Sequence, residues 1–167
     1  MSDHSRSPGT ASVRREIGAT MAALSALMFL TVLYNDISTI VGPSAGDLPW
    51  MLIGRYVVAM IAGGAIAGFA LMGMFGREGV AGWVLAMSGG FGATLLAGFL
   101  GSIAGLLPDR LADGFQAADL FAVAAGGLIL PLAIHDWPWL LVLLPSVISA
   151  THLRARSKRR ALVTVVG

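Results

Sequence analysis

A chain of 167 residues that is 56% hydrophobic and only 12% charged cannot clothe itself for water, and its mean hydropathy of +0.81 says the same; a soluble domain carries about 25% charged residues. The length allows one domain, and the absence of cysteine excludes disulfides, thiolate metal sites and thiol nucleophiles. The net charge of +2 does not mark a nucleic-acid binder: five of the eleven basic residues sit in 154–160, and Arg6, Arg14 and Arg15 precede the first apolar run. That is the placement the positive-inside rule gives for a membrane protein.

Residues 1–16 are polar and read as a disordered cytoplasmic leader. The first apolar run, 17–34, would rise about 27 Å as a helix, close to the roughly 30 Å hydrocarbon core. It is longer than the apolar core of a signal peptide, and no good small-residue cleavage site follows it, so a retained span over about 17–35 is expected. A loop with Asp36, Asp47 and no basic residue leads to Pro49-Trp50, which opens a second span to about residue 75. Pro suits a first helical turn and Trp an interface. The polar turn Gly76-Arg77-Glu78-Gly79 leads into a third span, about 80–107, closed by Pro108.

Two short apolar segments remain, 120–134 and 137–150, each near 22 Å and short for a full crossing. Counting both as crossings puts at best six basic residues inside, four outside, and Arg14-Arg15 on the wrong side. Four crossings put nine inside, leaving Arg110 outside with Arg55 near that face. The fold class expected is therefore an all-α, four-helix transmembrane bundle with one additional broken or re-entrant segment. Residues 137–153 are expected as the last crossing, with Asp136 as its cap and Trp137 and Trp139 as its aromatic belt. The broken element is 115–134, with Gly126-Gly127 and Pro131, and residues 154–167 form a basic cytoplasmic tail. The preference for Arg over Lys and the abundance of Ala and Gly point to a GC-rich bacterial genome.

The clearest pattern is a stripe of small residues on the third span, Gly89, Ala93, Ala97, Gly101 and Gly105, every fourth position. The second span has Gly64-xxx-Gly68 and a neighbouring stripe, Ala59, Gly63 and Ala67. Small residues let helix backbones approach closely where lipid gives no hydrophobic drive. They serve packing between spans two and three or docking of a partner or second copy. Asp36, Arg55 and Asp136 are candidates for a polar site at the outer mouth, with Asp36 and Asp47 as counter-ions of Arg55. Arg55 is also shallow enough to snorkel. His135 is of a type that ligates haem, metal or quinone and relays protons, but adjacent residues on a helix do not face each other, so His135-Asp136 is a poor dyad and reads first as a turn. Arg154, Arg156, Lys158, Arg159 and Arg160 set topology and can attract anionic lipid.

No catalytic, metal or nucleotide motif occurs, and the first three spans hold no ionisable group at mid-depth. No cofactor and no nucleic-acid partner are expected. The reading is a non-catalytic accessory, assembly or stabilising subunit of a larger inner-membrane complex, with lipid and other membrane subunits, or a second copy, as partners. One alternative is a small homo-oligomeric transporter or channel lined by 115–134. Another is a membrane enzyme or cofactor binder using His135 and Asp136.

Overall fold

Backbone is described here for residues 8–40 and 49–166 of a computed structural model, with side chains over 11–35 and 49–161. Among the described residues the fold is all-helical: α1 (Pro8–Ile40), α2 (Trp50–Leu71), α3 (Gly79–Asp113), α4 (Ala117–Gly127), α5 (Ile129–Asp136) and α6 (Leu140–Val166). Helix α2 packs on both α1 and α3. Three segments are long and apolar enough to cross a membrane: Ala11–Asn35, Trp50–Met74 and Gly79–Asp113. The α4–α5 pair, bent by 53°, makes a fourth if it is taken as one broken span.

The polar turn expected at 76–79 lies in the α2–α3 connection, after a single 3-10 turn at Met72–Met74 and with Gly79 already the first residue of α3. Its two glycines take positive φ, 75° and 74°, a region closed to most residues with a Cβ. Three boundaries differ from expectation. Helix α1 starts at Pro8, so 8–16 is helix and not a disordered leader; proline suits a first turn, and α6 braces this extension through Lys158. Residues 1–7 lie outside the described residues. Helix α3 runs through Pro108 to Asp113. Proline deletes one backbone bond, and the added turns are tied down by ion pairs of Asp109 and Arg110.

The third difference concerns the last crossing. Helix α6 begins at Leu140, and its apolar part, 140–153, would rise only about 21 Å. Alone it is no span of the length a bilayer needs. Nor does Asp136 cap it: Asp136 ends α5, and the first N–H groups of α6 bond to the carbonyls of Trp137, Pro138 and Trp139.

The contacts along α3 give the path of this last third. Asp119 pairs with Arg110; Gly126 lies on Gly98 and Ser102; Ile148 fills the space over Gly90; His152 lies on Trp83 and bonds to Gly76. Residues 119–155 thus descend α3 once, from one end to the other. The excess length is taken up by α5, displaced onto α1, where Trp137 meets Tyr34 at 6.2 Å between ring centroids. The break has a local cause: Gly126-Gly127 are poor helix formers, and Pro131 has no N–H for the Gly127 carbonyl. Around this path the core runs in steps of one or two turns, Ile17, Met21 and Met28 on α1, Ala86, Ala93 and Ala97 on α3, and Leu140, Leu144 and Ile148 on α6.

Candidate functional site

Ionisable groups gather at the two ends of the bundle. At the first, the acidic end, Arg55 and Asp109 form a bidentate pair, Nη1 to Oδ1 at 2.8 Å and Nη2 to Oδ2 at 2.6 Å. Asp109 is thus a counter-ion of Arg55 that the sequence reading did not name; of the two expected there, the side chain of Asp36, and Asp47 altogether, lie outside the described residues. The register explains the pair, since Gly105 accepts the Tyr56 ring where a Cβ would clash, bringing Arg55 level with the start of the last α3 turns. At the next residue of α3, Arg110 Nε lies 2.8 Å from Asp119 Oδ1, an ion pair whose N–H does not line up as a hydrogen bond. Asp119 is 4% exposed, and its Oδ2 accepts the Gln116 N–H at 2.7 Å, half of a capping box on α4. A buried carboxylate needs such partners. His135 is exposed and Asp136 half-buried.

At the opposite, basic end, α6 crosses the starts of α1 and α3. Glu16 receives Lys158 at 2.5 Å and Arg154 at 3.5 Å. Glu78 receives Arg160 at 2.8 Å and Arg156 at 3.7 Å. The hydrogen bond from Arg160, then the charges of Arg160 and Arg156, hold the Glu78 carboxyl below its ordinary range. A lowered folded-state pKa means that the stabilisation is complete above the ordinary carboxylate value and is lost as pH falls through the depressed one. Both glutamates are solvent-accessible, so each contact is worth little singly; their effect is to fix where α6 leaves the bundle.

His152 completes this end and was missed in the sequence. It is fully buried, its Nδ1 accepts the Gly76 N–H at 3.2 Å, and its ring lies 4.7 Å from that of Trp83. Accepting at Nδ1 places the neutral ring's proton on Nε2, which has no partner among the described residues. The legible signal was periodicity: His152 follows Leu140, Leu144 and Ile148 at four-residue steps.

Between the ends the small residues let other helices of the chain approach closely. A Cβ on Gly64 would stand 2.6 Å from the Met21 carbonyl, on Gly68 3.0 Å from Met21 Cβ, and on Gly89 3.0 Å from Met74 Cβ. One on Gly101 would enter Met60. Ala93 and Ala97 are fully buried. The stripes are thus occupied within the chain: Gly64 and Gly68 by α1, Gly63 by α3, Gly101 and Gly105 by α2, and Gly89 by Met74 and Phe75. Near the acidic end, Leu30, Thr31, Tyr34, Trp137 and Trp139 line an open, mostly apolar cleft of about 320 Å³. No cluster of three metal-ligating side chains occurs among the described residues. No known protein family, no curated protein and no solved structure matches this chain.

Proposed function

We propose that this chain is a non-catalytic structural component of a bacterial inner membrane, crossing it four times with both termini cytoplasmic, and that it acts as an accessory or assembly subunit of a larger complex. The observation that carries the reading is the distribution of charge. Every ionisable side chain among the described residues lies toward one end or the other, most are engaged with one another, and the middle of the bundle holds none. Coupled transport and proton relay keep ionisable groups at mid-depth in spite of their cost. The fourth crossing is α4 and α6 together, with α5 as a lateral detour.

Because the small-residue stripes are used internally, the partner surface is the outward face of α4 and α5, where Leu120, Phe121 and Leu128 are more than half exposed. Gentle extraction of the tagged full-length chain from its native membrane, followed by native-size analysis, tests this. A stoichiometric partner in one large particle is the expected result; a monodisperse particle of this chain alone counts against it. One feature favours a second reading, a small homo-oligomeric channel: the broken α4–α5 segment reaches mid-depth, where non-helical backbone usually lies against protein or water.

A further inference from the structure

The two ends of the bundle differ in how their charges are balanced. At the acidic end each arginine has its own aspartate, Arg55 with Asp109 and Arg110 with Asp119. At the basic end eight Lys and Arg side chains, on α1, the 76–79 turn and α6, face two glutamates among the described residues. Glu16 and Glu78 are each shared by two bases of α6, and no carboxylate within ion-pair distance serves Arg14, Arg15, Arg77 or Arg159 among the described residues. Nor is this a loose polybasic tail. The α6 helix continues past residue 153 without a break, Ala155 is buried, and the Gly76 turn closes against its backbone.

Arg77 and Arg159 are the two unneutralised bases that the fold brings to one place. Arg159 Nε lies 3.1 Å from where a Cβ on Gly76 would project, and Arg77 is the next residue of that turn. The Arg77 Nε donates to the Gly73 carbonyl at 3.0 Å, which orients the guanidinium and leaves its terminal N–H groups free of that bond. Both side chains are exposed, immediately beyond the apolar end of α2. We propose that this end is a docking surface for anionic phospholipid headgroups, with Arg77 and Arg159 as its principal phosphate contacts. Guanidinium forks suit phosphate oxygens, and a lipid is the source at this depth because both groups stand where a span meets the headgroup layer. The surface is a property of the folded chain and does not depend on the subunit role proposed above.

The test is competitive lipid retention on the purified full-length protein, read by native mass spectrometry with dioleoyl-phosphatidylglycerol against dioleoyl-phosphatidylcholine. Wild type retains the anionic lipid in preference, less so as salt is raised. The R77Q/R159Q variant loses that preference by about fivefold for each arginine removed, whereas R77K/R159K keeps most of it. Helical circular dichroism checks that the variant is folded, and R159Q alone carries the test if the double variant is not. Equal retention of the two lipids by wild type overturns the proposal, as does undiminished preference in the folded glutamine variant. Displacement of the lipid by inorganic phosphate at comparable concentration would assign the contacts to a soluble anion and overturn it equally.

Discussion

Seen in the sequence, His135 beside Asp136 reads first as a turn and only second as a site for chemistry, and His152 merely abuts the basic tail. The structure makes His152 the more embedded of the two. His152 is enclosed by α3, α6 and the 76–79 turn, and its Nδ1 satisfies a backbone N–H that would otherwise be orphaned. Truncating it removes a buried ring and leaves that donor bare, so His152→Ala is expected to destabilise the fold by about 2–4 kcal/mol. His135→Ala, on an exposed side chain, is expected to fall within about 0.5 kcal/mol of wild type. Denaturant titration in detergent, followed by helical circular dichroism, compares them. A stable His152→Ala would show that the ring is not a fastening of the turn. The ion pairs illustrate the same limit of sequence reading. Arg55 was visible as the one basic residue near a span interior, but its partner lies 54 residues away on a helix expected to stop at Leu107, before Asp109.

At the scale of helices most of the architecture was legible, because a bilayer imposes lengths that hydropathy reports directly. The spans expected at 17–35, 50–75 and 80–107 fall within Ala11–Asn35, Trp50–Met74 and Gly79–Asp113 or match them closely, and the broken element at 115–134 corresponds to α4 and α5. What length and hydropathy do not encode is how the last third divides among α4, α5 and α6, which depends on how far α5 is displaced onto α1. The junction turns on glycine. A Cβ on Gly98 would enter the Gly126 carbonyl, a backbone atom that cannot rotate away, whereas Gly54 faces open space. Gly98→Ala is therefore expected to cost on the order of 1–3 kcal/mol through overpacking. Gly54→Ala is expected to be neutral or to stabilise by up to about 1 kcal/mol, through helix propensity alone. Thermal unfolding midpoints of the two variants, measured side by side, separate these outcomes; equal midpoints would mean that α4 does not seat on α3 as described.

For the molecule as a whole, the charge asymmetry and the path of the last third make one joint demand. The basic end holds Arg14, Arg15, Arg77 and the α6 bases together, and under the topology proposed above, which follows the rule that basic flanks stay inside, this is the end expected to face the cytoplasm. Because residues 119–155 descend α3 once, Asp113 and Ser157 must then lie on opposite sides of the membrane. The chain contains no cysteine, so single-cysteine variants can be labelled without background. An impermeant maleimide is expected to modify Asp113→Cys in intact cells and Ser157→Cys only after the membrane is opened. Ala125→Cys, exposed on α4 toward lipid near the break, is expected to stay unlabelled in both conditions, because a thiol in hydrocarbon is neither ionised nor reached by the reagent. Labelling of 113 and 157 from the same side would mean that α4 to α6 do not make a crossing. Labelling at 125 in intact cells would mean that the broken segment is wet, and would move the functional reading from subunit to channel.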